Sequence, residues 1–394
     1  MPHTNAAMID RRTRFPCGAE LTIAQLASDP HPHLALLRER EPVSWVPALQ
    51  AWLVTRYDLA LAVMRDPVRF TVDHPGFSTA QIVGESMLSL DGPRHERARA
   101  PFVAPFRPRA VQERFAQLVE REVAGLLDQL APAGGAELRR QFAGPLAAAV
   151  QAATLGLERA HAHELLAIYD GIVQAVSEIS AGREPPATGS EAFASLERLL
   201  RKALAGRGVL SAAAAHGQLS EAELVSNAAV ILFGGIETAE GMIANALLML
   251  LSEQSALEQV RGAPQLLERA LEESLRLEPA AGAIDRYATA DCELGGAAIR
   301  AGELVRVSIS AANRDPAVFA RPERFDLARA NLRRHLAFAH GPHVCLGVHL
   351  ARLEARAALR AVLERFPNLR LDPCRRPAVR GLIFRKPDAL PVLW

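Results

Sequence analysis

The stretch Phe338-Ala339-His340-Gly341-Pro342-His343-Val344-Cys345-Leu346-Gly347 runs straight into a segment where Leu346, Leu350, Leu353, Ala357 and Ala361 recur every three or four residues. That spacing predicts an amphipathic helix. Cys345 therefore sits at a loop-to-helix junction, where free N–H groups and the positive end of the helix dipole favour a thiolate. Gly341 and Gly347 permit a tight turn and close approach of backbone to a ligand. His340, His343, Cys345 and His349 offer a mixed zinc ligand set, although the spacing H-x2-H-x-C-x3-H matches no common finger pattern. A plain buried cysteine is the other reading. It suits Cys17, Cys292 and Cys374, whereas the Phe, Gly and His around Cys345 set that residue apart.

A second unusual stretch lies upstream. Ser220-Glu221-Ala222-Glu223 reads as a capping box, and helical sequence continues to about Glu253, roughly 50 Å at 1.5 Å per residue. In its middle Gly234 and Gly235 stand together, each costing about 1 kcal/mol relative to Ala. Ile236, Glu237 and Thr238 follow, placing a carboxylate and a hydroxyl among core-like neighbours. One reading is a Gly pair that admits a neighbouring helix, with Glu237 at a solvated kink. The other is a helix opened for a flat ligand, with a proton-carrying pair beside it.

Working outward, the 394 residues carry 45 Lys and Arg against 44 Asp and Glu, a net charge of +1. That balance argues against a protein that wraps nucleic acid or binds membranes through a polybasic surface. Lysine occurs only at Lys202 and Lys386, which removes Schiff-base and P-loop lysine chemistry from the expected mechanisms. The four cysteines form no CxxC, so a disulfide framework is not expected and a reducing, cytoplasmic compartment is. No apolar stretch follows Arg11, Arg12 and Arg14, so no signal peptide is expected. The most apolar region, Ala228 to Leu251, is interrupted by Glu237 and Glu240 and falls short of a membrane span.

The pattern predicts a hairpin over 43–54, a short helix over 57–66 and a long loop over 71–90, of the kind that is usually functional. Helices are predicted over 93–104, 108–131, 137–156, 160–180 and 191–206, with a breaker at 181–190 and a second hairpin region over 292–309. The expected fold is mainly α with small β-sheets, one large helical domain over 1–394, with 1–30 as a loosely ordered lead-in.

At these residues the sequence resembles the cytochrome P-450 family, the haem-thiolate monooxygenases. The Cys345 loop is similar to the signature F-G-x-G-x-[HR]-x-C-x-G, with Ala339 in place of the first Gly. Gly234-Gly235-Ile236-Glu237-Thr238 resembles the oxygen-activating [AG]-G-x-[DE]-T motif. Glu273-Ser274-Leu275-Arg276 matches ExxR, and Pro322-Glu323-Arg324-Phe325 matches the PERF element whose Arg completes that ion-pair network. Asp91 to Arg99 resembles D-x-P-x-H-x-x-x-R, and Arg286, ten residues past Arg276, fits a propionate-binding Arg. The five motifs stand in the family's order across residues 91–347.

The resemblance implies a long central helix crossing haem b, with Cys345 as axial iron ligand. A thiolate in that place pushes electron density towards iron and promotes O–O cleavage. Phe338 would shield the sulfur, and amides after Cys345, including that of Gly347, would tune it. His95, Arg99, Arg286 and His343 would hold the propionates, Gly234 and Gly235 would leave room for O2, and Glu237 and Thr238 would deliver protons. Glu273, Arg276 and Arg324 would be structural. Met87, Phe233, Ile284 and Ile383 are the expected substrate contacts, favouring a small, largely apolar molecule. Electrons would come from a separate ferredoxin or flavodoxin with its NAD(P)H reductase. Arg352, Arg356, Arg360, Arg94, Arg97, Arg333 and Arg334 form the expected cationic docking patch. The competing expectations are a peroxide-driven peroxygenase on the same fold and a zinc-stabilised helical interaction protein.

Overall fold

A computed structural model describes residues 11–158 and 161–394 of the chain. After α1 (His31–Arg40), the strands β1 (Val43–Val46) and β2 (Ala51–Val54) form an antiparallel hairpin with Val43 opposite Val54, followed by α2 (Tyr57–Arg65). β3 (Phe70–Thr71) and α3 (Ser78–Val83) lie in what the sequence suggests is an uninterrupted loop. Then come α4 (Gly92–Val103), α5 (Pro108–Leu130), β4 (Gly135–Glu137), α6 (Gly144–Leu155), α7 (Ala162–Ser180), α8 (Thr188–Ala203) and α9 (Glu221–Ser252). The expected helix over 137–156 is a π-helical turn, Arg139–Ala143, running into α6. The expected helix over 160–180 begins outside the described residues and continues as α7.

After α10 (Leu267–Leu277) come β5 (Ala283–Ala288), β6 (Cys292–Leu294), β7 (Ala297–Ile299) and β8 (Leu304–Ser308). Only β6 and β7 make the expected second hairpin. β8 leaves it and enters a five-stranded sheet of order β1-β2-β8-β5-β3, parallel to β2 and antiparallel to β5. Its Val305 and Val307 are fully buried, so pairing on both sides outweighs the short turn that links it to β7. The chain ends with α11 (Val348–Arg365), β9 (Arg370–Leu371), β10 (Val379–Arg380), β11 (Lys386–Pro387) and β12 (Pro391–Leu393).

The 32-residue α9 crosses the largest apolar cluster and is packed by α6, α10 and α11. Its N-terminus is the capping box expected from sequence, Ser220 Oγ accepting from Glu223 N and Glu223 Oε2 from Ser220 N at 2.8 Å. By length and composition α9 could cross a membrane, but this apolar surface is spent on the protein's own core, 78% of the most apolar window being buried there.

The lead-in departs from expectation. Residues 1–10 lie outside the described residues, but 11–30 are built of short helices, one of them fixed by a Thr22–Gln25 capping box. Leu21 and Leu26 pack with Leu34, Leu37, Val46 and Leu53 in a separate apolar cluster. Sequence periodicity misses this because each helix is too short to show an apolar face of its own.

Candidate active site

Beneath α9 lies a cavity of about 320 Å³ whose wall includes Cys345, Phe338, Gly347, Thr238, Gly234, Met87, Phe233, Ile284 and Ile383. The cysteine loop is shaped by backbone geometry. Gly341 has φ +74°, and a Cβ there would lie 2.4 Å from the Met64 carbonyl at the end of α2, so only glycine fits. Cys345 N donates to the Phe338 carbonyl at 2.9 Å, closing the loop, and Gly347 caps α11 two residues on. Ala339 has φ +57°, in the left-handed region, so Ala in place of the signature's first Gly carries strain. The Phe338 ring has the Arg352 guanidinium 4.6 Å from its centroid.

Burial pushes the Cys345 thiol up, and the Gly347 amide, Arg99 and Arg352 only partly pull it back. A coordinated metal cation, which deprotonates a thiol outright, would hold Cys345 as the thiolate. The zinc alternative fails on geometry: among the described residues no group of three or more His, Cys, Asp and Glu is placed to hold a metal ion.

Beside Cys345 stands a cluster of basic side chains, His95 and Arg286 buried and Arg99 and His343 half-buried. The His95 and His343 rings lie 4.4 Å apart, and His343 Nε2 is 2.7 Å from Asp91 Oδ1. Arg99 donates to the Val344 carbonyl at 2.6 Å and Arg286 to the Asp285 carbonyl at 2.7 Å. His95 Nε2 is buried with no hydrogen-bond partner among the described residues. Burial, then His343 and Arg99, drive His95 down to about 4, and burial drives Arg286 down to about 10. Burial raises the Asp91 carboxyl, but hydrogen bonds from His343, Thr71 and the Val72 amide outweigh it and hold it below the usual range. A ligand with two carboxylates would satisfy this donor set beside the Cys345 thiol, as would the haem b that the sequence resemblance implies. The residues present fit that group.

The two glycines of α9 do different jobs. A Cβ on Gly234 would meet nothing within 4 Å, so Gly234 opens onto the cavity. A Cβ on Gly235, which also lines the cavity, would lie 2.2 Å from the Gln151 amide carbon, so Gly235 makes room for the Gln151 side chain of α6 as well. Thr238 faces the cavity and its Oγ donates to the Gly234 carbonyl at 2.6 Å. Glu237 is not among the cavity-lining residues; it points to the far side of α9, where Lys386 Nζ donates to its Oε2 at 2.8 Å.

The ExxR network also closes differently. Arg276 holds Glu273 through two 2.8 Å bonds, and both side chains are fully buried. The second cation on Glu273 is Arg329, whose Nε lies 3.0 and 3.1 Å from its two oxygens. Arg324 contributes only its backbone carbonyl, to Arg276 and Arg329, while its side chain is 65% exposed. The PERF match pointed to the Arg inside the motif; the turn after it brings Arg329 back instead.

Sequence reasoning missed three further residues. Glu354, on α11 and at the cavity, is fully buried with neither oxygen partnered among the described residues, and burial pushes its carboxyl far up. Gln151 lines the cavity with Oε1 unpartnered. Lys386 comes from β11, about 150 residues beyond Glu237, and its rarity was the one available signal. The expected docking patch is largely neutralised: Arg352 is held by Glu272 at 2.6 and 2.9 Å, Arg94 by Asp73 and Glu85, Arg97 by Glu223, and Arg333 by Glu268.

Comparison with known proteins gives the same picture. The family description "Cytochrome P450" matches residues 194–378. A 20-oxo-5-O-mycaminosyltylactone 23-monooxygenase of Streptomyces fradiae is 36% identical over 93% of this chain and 90% of its own length. Nocardicin C N-oxygenase of Nocardia uniformis is 36% identical over 94% of this chain and 96% of its own. Among solved structures, P450BioI in complex with an acyl carrier protein superposes with a TM-score of 0.84 at 30% identity, covering 93% of this chain and 98% of that one.

Proposed function

The chain belongs to the cytochrome P450 family, a haem monooxygenase family, and on that premise we propose that residues 1–394 act as one unit inserting an atom of O2 into a small, largely apolar organic molecule. The observation that carries this reading is one cavity shared by Cys345 on its floor and Thr238 on the facing helix, with apolar walls between them. Bound there through Cys345, haem b supplies an electron-rich iron at which O2 is activated.

The chain's own residues do the rest. Arg99, Arg286, His95 and His343 bind and orient the propionates through charge-assisted hydrogen bonds. Phe338 and Leu346 keep water from the sulfur. Thr238 Oγ, one bond rotation from the Gly234 carbonyl, holds a transferable proton on the cavity side of α9. Burial raises the Glu237 carboxyl, which makes it a better proton carrier at neutral pH. Met87, Phe233, Ile284 and Ile383 set the shape of the substrate space, with Phe384 edge-on to Phe233 at 5.5 Å. Relatives named for 20-oxo-5-O-mycaminosyltylactone and for nocardicin C act on different molecules, so the substrate is assigned by class alone.

A ferredoxin or flavodoxin with its NAD(P)H reductase is the proposed electron source, docking on the α11 side where Arg356 and Arg360 lie. The four unpaired cysteines support a cytoplasmic setting.

The test uses the haem-loaded protein. Its ferrous–CO complex is expected to show the red-shifted Soret band of a thiolate, and Cys345→Ser to lose it. With a surrogate reductase and 18O2, a substrate found by spin-state shift is expected to gain one labelled atom. Label arriving from water would overturn the proposal.

A further inference from the structure

Lys202 and Lys386 are the only lysines among 45 basic Lys and Arg residues. Lys386 is placed behind α9, its side chain only 13% exposed. Its Nζ donates to Glu237 Oε2 at 2.8 Å, to Glu240, and to the Tyr169 hydroxyl of α7 at 3.3 Å. Arg139 lies 3.0 Å from Glu240 on the other side, so two acids face two cations. The neighbouring Arg385 is turned away to Glu278 at 2.6 Å and does not compete.

Charge balance alone does not call for lysine here. Arginine pairs with carboxylates in a bidentate fork and is what this chain uses almost everywhere else. The property that lysine has and arginine lacks is release of a proton when buried. The order of exposure fits that property. Lys386 keeps a small contact with solvent, Glu237 is 2% exposed, and the next residue, Thr238, faces the cavity.

We infer that Lys386 is the proton-entry residue of the active site, passing a proton along its hydrogen bond to Glu237. The inference rests on the monooxygenase reading and deepens it. In the step the Lys386 Nζ–H bond breaks and a Glu237 Oε2–H bond forms. The neutral amine is recharged by a proton from water, and no electrons change hands. The ion pair that holds Glu237 on the far side of α9 is thereby discharged, and the neutral carboxyl is free to turn towards the Thr238 side. Tyr169 aims the Nζ, which links the step to α7 above the cavity. Lys386 acts through Glu237 and is a positioning residue, not one that touches substrate.

The experiment compares the haem-loaded parent with Lys386→Arg and Lys386→Gln. Lys386→Arg keeps the charge and cannot release a proton; its turnover is expected to fall at least ten-fold, with a larger solvent deuterium isotope effect. Lys386→Gln is expected to fall similarly and to recover with added ethylamine. Infrared spectra of protein with 13C-labelled glutamate give a readout apart from turnover: at neutral pH a protonated-carboxyl band, absent from Lys386→Gln/Glu237→Gln, is expected in Lys386→Gln and not in Lys386→Arg. If Lys386→Arg turns over at the parental rate with the parental isotope effect, protons do not enter at this residue. Should that variant not fold, a parental rate in Lys386→Gln without amine overturns the inference equally. Failure of the parent to incorporate label from 18O2 would instead sink the monooxygenase reading, and the infrared comparison would still show whether Lys386 sets the proton on Glu237.

Discussion

The side-chain amide of Gln151 occupies the space that a Cβ on Gly235 would need, 2.2 Å from its amide carbon, whereas a Cβ on Gly234 would meet nothing. Two adjacent glycines are thus expected to respond differently to the same substitution. Gly235→Ala must turn the Gln151 side chain aside, so it should forgo the helix-propensity gain of about 1 kcal/mol, which returns when Gln151→Ala is added. Gly234→Ala should raise stability by about 1 kcal/mol through helix propensity and at the same time weaken ligand binding by filling the cavity. Thermal unfolding and ligand titration of these three variants, with Gln151→Ala alone as control, check both statements.

The pairing of Glu273 with Arg276 and Arg329 predicts an asymmetry within one stretch of loop. Arg329→Ala removes a cation from a fully buried carboxylate and should cost on the order of 3–5 kcal/mol. Arg324→Ala removes an exposed side chain whose carbonyl remains, and should stay within about 0.5 kcal/mol of the parent. Urea unfolding decides; equal losses would contradict the assignment.

Ala339, with φ +57° in the cysteine loop, predicts a gain. Relief of left-handed strain of roughly 1–2 kcal/mol outweighs the extra unfolded-state freedom of glycine, about 0.4–1 kcal/mol. Ala339→Gly should therefore raise the unfolding temperature of the protein by a few degrees and leave haem loading intact.

Burial raises the Glu272 carboxyl, but hydrogen bonds from His335 and Arg352 outweigh it and hold the group at about 2. A folded-state value below the unfolded one means that the contribution is complete above the unfolded value, near 4.5, and is lost as pH falls towards about 2. Its size is on the order of 3 kcal/mol. In urea titrations between pH 6 and 3 the parent should lose stability with a steeper slope than Glu272→Gln, which starts lower and changes less.

Arg352 is committed to Glu272, so the cations left to steer an acidic electron donor on α11 are Arg356 and Arg360. Charge reversal of both should slow reduction by an acidic ferredoxin and flatten its salt dependence, with substrate affinity unchanged. Stopped-flow reduction at low and high salt measures it. Identical salt slopes in the variant and the parent would place docking elsewhere.

What could be read from the sequence divides along physical lines. The capping box at Ser220, the amphipathic repeat after Cys345 and the first hairpin are local patterns, and the structure keeps them. The cavity residues Thr238, Phe233, Ile284 and Ile383 were legible through the motifs and the family resemblance they carry. Partners distant in the chain were not. Arg329 reaches Glu273, and Lys386 reaches Glu237, only because of how the loops after α10 and β10 return, and no periodicity encodes that. The side of α9 on which Glu237 meets Lys386 was not legible either, because a motif names a residue but not the rotation of the helix that carries it.

The N-terminal segment bears on recombination. The Gly381 amide donates to the Ala27 carbonyl at 2.8 Å, Arg385 reaches Leu26, and His31 shares Glu278 with Arg385. The turn so anchored carries Ile383 and Phe384 into the cavity. Residues 11–40 and the last fifteen therefore act as a unit: chimeras that exchange one terminus with a relative and keep the other will shift which molecules are accepted, even though none of the described residues of that N-terminal segment lines the cavity.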